Sequence, residues 1–399
     1  MQKIINDPVY GFITINDPLI FDIIAHPYFQ RLRRIHQMAL AYLVYPGAVH
    51  TRLHHALGAY HLMCNALIEL KSKGVQITEE EEVAAKAAIL LHDVGHGPFS
   101  HALEGSLIKG AHHETLSLLL MQAMNEDFGG KLSMAISIFT NQYPKRFLHQ
   151  LISGQIDVDR MDYLTRDSFF TGVSEGVIGY HRILKMLTVH EGELMVEEKG
   201  IFSIEKFLVA RRQMYWQVYL HKTVLSAEIM LVNLLKRAFI LAKSGDKTLA
   251  TGGAIDFFLY QFDGNINRAM LDQFCQLDDI DCSFAIKRWS HHSDFVLSEL
   301  SSRLLNRKLL KIKLQSEPFD EELVKEKRAE ASRTLKIDEE AKYFVFTGEA
   351  DNTMYNMGDD KINILFKNGT VKDIAGIDNP LIHQTISAPI KKFYICTLS

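Results

Sequence analysis

A chain of 399 residues, 47% hydrophobic and 23% charged, can bury a large core and is long enough for two domains. Its net charge of −4 gives no global field to attract nucleic acid or an acidic membrane, so a phosphate-bearing ligand has to be held by local cations. Cys64, Cys275, Cys282 and Cys396 match no zinc spacing, and no apolar run approaches the ~20 residues of a membrane span. The N-terminal stretch lacks a basic segment followed by an apolar one, so a cytoplasmic protein with free thiols is expected.

Val9 to Ile15 alternates between Asn-Asp-Pro turns and predicts a hairpin. Short helices follow over 18–25 and 27–37, the second carrying Arg31, Arg33 and Arg34, a pattern expected on a solvated face. After a turn at Pro46-Gly47, a helix starts near His50 and runs to about Lys71. His54 and His55 point about 100° apart on it, so at most one of them faces the core. The next helix spans 79–91 and ends in Leu90-Leu91-His92-Asp93-Val94-Gly95-His96-Gly97-Pro98-Phe99-Ser100-His101. Three imidazoles and a carboxylate just past a buried helix are costly to bury unless something binds them, and this donor set suits a borderline or hard divalent cation. An adjacent His-Asp pair is also a common accident, and histidines suit the negative end of a helix, so other ligands have to come from elsewhere in the chain.

A short helix is predicted over 99–108, with His101 and Glu104 three apart on one face, a pairing that can orient an imidazole for acid–base work. Helices of core character follow His112-His113-Glu114 to Met124, then over 132–139 and 144–151. In the stretch from Ser153 to Asp167, Asp159, Tyr163 and Asp167 form one i, i+4 row, while Asp162 and Arg166 make a structural pair on another face. Residues 186–202 read as a hairpin, and 203–242 as one or two long helices placing Arg211, Tyr215, Tyr219 and Lys222 on a common side. Further helices are expected over 254–261, 265–275, 281–289 and 293–305. Alternating lysines over 308–314 suggest an edge strand, 320–334 a charged helix, and 343–347, 362–366 and 393–397 further strands. The fold class is therefore mainly α, with short hairpins: a helical core over 1–305, its polar cluster within 50–170, and a small C-terminal α+β unit over 306–399.

These blocks together resemble the HD-domain metal-dependent phosphohydrolases, and among them the deoxynucleoside triphosphate triphosphohydrolases with a sterile-alpha-motif-and-HD-type catalytic core. The resemblance covers nearly the whole chain. It is carried by Ile5-Asn6-Asp7-Pro8, Phe29 to Arg33, Tyr45 to Ala48, Arg52 with His55, His92 to His101, His113-Glu114, Ile156 to Asp159 and Asp162-Tyr163. No sterile alpha motif is expected. The resemblance implies an HD-domain helical core with His55, His92, Asp93 and Asp159 as ligands of one divalent transition metal (Fe, Mn, Zn or Ni), with additional Mg on the triphosphate. His54 replaces His55 if the register is one residue off. The family's reaction releases a deoxynucleoside and inorganic triphosphate, water attacking the α-phosphorus. By the same resemblance His101, steered by Glu104, protonates the leaving oxygen, and His96 and His113 bond the phosphates. Arg52, Arg160 and Arg211 neutralise the triphosphate. Gln37, Met38, Tyr163, Asp167 and Tyr219 contact the sugar or base, Tyr219 excluding a 2′ hydroxyl.

Lys3, Gln30 and Arg33 match a regulatory nucleotide site in those relatives, but Ala25 stands where nucleotide-activated members carry Asp, Arg160 where they carry Lys, and Leu220 where they carry Gln. A homodimer or homotetramer is expected, with no membrane partner. Two alternatives share these residues. One is a 5′-nucleotidase or other nucleotide phosphohydrolase, for which three arginines are more cations than a monophosphate needs. The other is a non-catalytic nucleotide sensor or single-stranded nucleic-acid binder, suggested by the lysines of 308–313 and disfavoured by the net charge.

Overall fold

The computed structural model describes residues 2–99, 112–352, 361–377 and 390–398. Strands β1 (Lys3–Asp7) and β2 (Gly11–Ile15) form an antiparallel hairpin. Asp17 then caps α1 (Pro18–Ala25), accepting from the Leu19 and Ile20 amides with Pro18 in the first turn, where its missing N–H costs nothing. Helix α2 is short (Pro27–Gln30) and tightens into a 3₁₀ turn over Arg31–Arg34 rather than continuing to Gln37.

The central helix α3 (Arg52–Ser72) starts at Thr51, where Thr51 and the His54 side chain close a capping box. That fixes His54 at the helix mouth and turns His55, one residue on, into the core. Helix α4 (Glu79–Leu91) has a Thr78/Glu81 capping box, and four glutamates in its first turn favour the positive end of its dipole. The helix expected over 99–108 lies, apart from Phe99, outside the described residues; next come α5 (His113–Asp127), α6 (Ser133–Phe139) and α7 (Arg146–Gln150). Helix α8 (Val158–Thr171) is capped by Asp157 and ends at Gly172 with φ +74°, the left-handed conformation that favours glycine. Helix α3 packs against both α4 and α8, which brings the three polar stretches of the sequence to one place.

Helix α9 (Tyr180–Met186) leads into the hairpin β3 (Leu187–His190) and β4 (Glu193–Glu197). Helix α10 (Ile201–Met214) passes through a π turn over Tyr215–Tyr219, in which the Leu220 amide bonds the Tyr215 carbonyl, into α11 (Lys222–Lys243). This wider turn resets the helical phase: Arg211, Tyr215 and Tyr219 share one cavity, whereas Lys222 lines a different surface cleft, against expectation. Helices α12 (Ile255–Tyr260), α13 (Arg268–Gln276), α14 (Asp279–Trp289) and α15 (Phe295–Leu305) complete the helical part.

The remaining elements are β5 (Lys311–Gln315), α16 (Glu321–Leu335), β6 (Phe346–Asn352), β7 (Asn363–Leu365), β8 (Val371–Asp373) and β9 (Ile390–Thr397). Strand β5 is an edge, paired with β9, whose other side pairs β6. Residues 339–343 form a 3₁₀ turn, so β6 begins at Phe346 rather than Tyr343. The hairpin of β3 and β4 joins β7 and β8 in a four-stranded sheet, β4 running parallel to β7. One apolar cluster extends from Ile13 through the helices to Cys396, and the chain is mainly α.

Candidate active site

Two imidazoles turn their Nε2 atoms toward one point. His55, at the end of the first turn of α3, donates Nδ1–H to Asp162 Oδ2 at 2.8 Å. His92, following α4, donates Nδ1–H to the Ile89 carbonyl at 2.7 Å. These bonds orient the rings and leave each Nε2 pointing inward as the atom that can bind a cation once it is deprotonated. Both Nε2 atoms are buried and make no well-aligned hydrogen bond, although Asp159 Oδ1 lies 3.0 Å from one and 3.4 Å from the other. Ligand atoms of His55, His92 and Asp159 all lie within 4.8 Å of one another. Asp93 borders this trio, its oxygens 3.4 Å from His92 Nε2 and 3.7 Å from His55 Nε2. It also forms a second such group with His96 and His113, whose rings stack at 4.0 Å. Orphaned, buried nitrogen donors facing carboxylates fit a divalent cation and are otherwise hard to account for.

The carboxylates set the charge of the cluster. Burial disfavours a charged His55 ring, but Asp159 and Asp162 against it reverse the balance and raise its pKa to about 10, so a cation binding His55 Nε2 would displace a proton from it. Burial likewise opposes ionisation of Asp159, and contacts with His55 and His92 overcome it and hold the carboxylate charged. For Asp93, His92, His96 and Arg52 outweigh burial in the same sense. Burial and the Arg52 guanidinium keep His96 neutral, its pKa well below the usual imidazole range.

A cavity of about 440 Å³ opens beside this cluster. Its walls hold Gln37, Met38, Arg52, Asp93, His96, His113, Asp159, Arg160, Tyr163, Asp167, Arg211 and Tyr219, so these twelve residues named from the sequence meet in one place, alongside His55 and His92. Within the HD-type spacing, a family model described as HD domain matches residues 52–167, and one described as HD associated region matches 178–256. A phosphohydrolase of known structure from Bacteroides thetaiotaomicron is 51% identical, with a TM-score of 0.95 over the whole of both chains.

The chain belongs to the HD-domain phosphohydrolase family.

Other relatives agree. The Bacillus subtilis protein YwfO is 31% identical over 94% of this chain and 87% of its own length. The Dictyostelium discoideum homolog of the deoxynucleoside triphosphate triphosphohydrolase SAMHD1 is 31% identical over 62% of this chain, and the match spans 51% of that protein. In this HD domain Arg52 reaches the Asp93 carboxylate, and Arg160 bonds Asp157 and the Gly154 carbonyl, so both guanidiniums are positioned before any ligand arrives. Asp167 accepts from Tyr219 at 2.7 Å and contacts His50 Nε2 at 2.8 Å. His101 and Glu104 lie outside the described residues. Lys3 is exposed on β1, while Arg33 donates to Gln30, which itself donates to the Ile24 carbonyl; none of the three lines the cavity.

Several residues of the site were not anticipated. Arg31, expected on a solvated face, is fully buried, its guanidinium donating to the carbonyls of Val94, His96 and Leu277. It therefore pins the loop that carries the His-Asp pair. Gly95 is required there because a Cβ would sit 2.3 Å from the His113 carbonyl and 2.2 Å from the Ser117 amide. Asp162 does more than pair with Arg166: it holds His55, and Arg166 in turn is held by Asp7 at 2.8 Å. His50 and Glu228 were also missed. The signal for Glu228 was a lone carboxyl one turn after Val224, on an otherwise apolar face of α11.

Proposed function

We propose that this phosphohydrolase acts on deoxynucleoside triphosphates, releasing a deoxynucleoside and intact inorganic triphosphate. The observation that carries the reading is one cavity whose wall combines a cation-ready His/Asp cluster, three guanidiniums and a tyrosine–aspartate pair suited to a sugar edge. His55, His92, Asp93 and Asp159 would hold a divalent metal. When bound, such an ion polarises a phosphoryl oxygen and lowers the pKa of a coordinated water.

The chain's own residues supply the rest. Arg52, Arg160 and Arg211 neutralise a polyphosphate that carries several negative charges, and fixed cations in a water-poor cavity act more strongly than mobile ones. Neutral His96, stacked on His113, offers an N–H to a phosphate oxygen without adding like charge beside Arg52. The water oxygen forms its bond to the α-phosphorus as the bond to O5′ breaks, and O5′ takes a proton, the role assigned from the sequence to His101 with Glu104. Tyr219, its hydroxyl spent on Asp167, sets an aromatic edge where a 2′ hydroxyl would need room. The relatives named as deoxynucleoside triphosphate triphosphohydrolases support the same substrate class.

The test is turnover of each dNTP by metal-loaded protein, with the phosphate product identified by phosphorus NMR. Inorganic triphosphate with free deoxynucleoside is expected. Release of only pyrophosphate or monophosphate, or no turnover with Fe, Mn, Zn, Ni or Mg, rejects the reading.

A further inference from the structure

Asp167 is held from two sides, and one of its holders has no part in the scheme above. His50, just before α3, is 1% exposed and does not line the cavity. Its Nε2–H donates to Asp167 Oδ1 at 2.8 Å, while the Tyr219 hydroxyl donates to the other oxygen. The ring lies flat on Phe170, with centroids 4.4 Å apart. Its Nδ1 is buried and has no hydrogen-bond partner among the described residues. An orphaned buried polar atom costs stability, and a phenylalanine could stack on Phe170 without that cost. Packing therefore does not account for the imidazole; the grip of Nε2 on Asp167 does.

The backbone of the same residue holds a second wall group. The Gln37 amide donates to the His50 carbonyl at 3.0 Å and the Arg52 amide to the Ile35 carbonyl at 2.9 Å, an antiparallel bridge that ties 35–37 to 50–52. Gln37 lines the cavity with Asp167, and its Oε1 is buried without a partner. Each Asp167 oxygen, having accepted one bond, keeps a lone pair to spare. Two acceptors that lack a donor thus face one cavity, both placed by His50. Phosphates bring further acceptors, whereas a sugar hydroxyl brings the missing donor. A deoxynucleoside triphosphate has one free hydroxyl, on C3′.

We infer that His50 is a positioning residue that sets Asp167 through its side chain and Gln37 through its carbonyl, so that the pair accepts the 3′ hydroxyl; the inference rests on the cavity being a nucleotide site. A hydrogen bond from a hydroxyl to a charged acceptor separates a ligand from its analogue without that hydroxyl by roughly 10- to 100-fold.

Titration calorimetry of the full chain in chelator, where no turnover competes, compares dTTP with its 3′-deoxy analogue. His50→Phe keeps the stacked ring and loses the donor; His50→Gln carries an amide N–H that can reach where Nε2 lies. Wild type is expected to bind dTTP roughly 10-fold or more tightly than the analogue, His50→Phe to bind the two nearly equally, and His50→Gln to regain most of the preference. His50→Asn, whose amide stops short of Asp167, takes the place of His50→Phe if that variant does not melt cooperatively. A residue that merely supports the fold would weaken both ligands alike and leave their ratio unchanged. An unchanged ratio, a wild type without preference, or a glutamine variant that regains none of it overturns the inference and leaves the hydrolysis reading standing. A preference lost in His50→Phe and regained in His50→Gln, in a protein that releases no triphosphate, upholds the inference and overturns the hydrolysis. No measurable binding of either nucleotide overturns both.

Discussion

Gly58 lies inside α3, where helix propensity alone says that Ala should stabilise by about 1 kcal/mol. The structure reverses the sign. A Cβ at position 58 would fall 2.0 Å from Asp162 Oδ1 and 2.1 Å from Arg166 Nη2. Neither group has room to retreat: both side chains are fully buried, and Arg166 is held from its far side by Asp7. Gly58→Ala therefore has to part the Asp162–Arg166 pair, and separating a buried ion pair costs about 3–5 kcal/mol. Subtracting the helix gain leaves a net loss of about 2–4 kcal/mol. Because Asp162 also fixes the His55 ring, metal affinity should fall by roughly 10- to 100-fold as well. Guanidinium unfolding in chelator measures the first effect, and metal per chain after dialysis against buffered metal measures the second. A Gly58→Ala variant as stable as wild type, binding metal normally, refutes the account of how α3 and α8 lock together.

Two further predictions concern charge and metal. Metal at 100 times its dissociation constant should stabilise wild type by about 2.7 kcal/mol over the chelated protein, and His55→Ala should lose that increment; thermal melts with and without metal decide it, and an equal increment in both rules His55 out as a ligand. Glu228→Gln should gain stability over wild type as pH rises. A carboxyl raised from its ordinary 4.5 to about 8 keeps its proton in the folded state while the unfolded chain ionises, so wild type loses stability progressively between those values. At 1.36 kcal/mol per pH unit the ceiling is about 5 kcal/mol, and solvent reaching the cavity wall reduces this to about 2. Denaturation of both proteins from pH 5 to pH 9 measures the gap, and a gap that does not widen rejects the burial of Glu228.

The helices and the polar cluster were legible because they rest on short-range signals: capping residues, apolar periodicity, and a His-Asp pair followed by glycines. Asp159, Tyr163 and Asp167 reach the cavity as their i, i+4 spacing requires. Arg31 was misread because nothing near it in sequence explains its burial; its three acceptors are 63, 65 and 246 residues away. Asp162 was read as a helix pair because Arg166 is four residues on, whereas its contact with His55 crosses 107 residues. The π turn at Tyr215–Tyr219 leaves no periodic signature, since it is one extra residue in a single turn, yet it decides that Lys222 leaves the face that Tyr219 keeps.

The cavity is assembled from two sources that answer different chemical demands. The His/Asp cluster is built on α3, α4 and α8, where His55 is backed by Asp162 and Arg166, His92 by the Ile89 carbonyl, and the loop carrying Asp93 by Arg31. That cluster is over-determined, so single changes behind it should cost stability and metal together. The rest of the wall is supplied by the π turn and α11, through Leu220, Val224 and Glu228. The two parts of the wall meet where Tyr219 of the π turn donates to Asp167 of α8, so a substitution at Tyr219 reaches the helix that carries Asp159, whereas one at Val224 changes the shape of the wall alone.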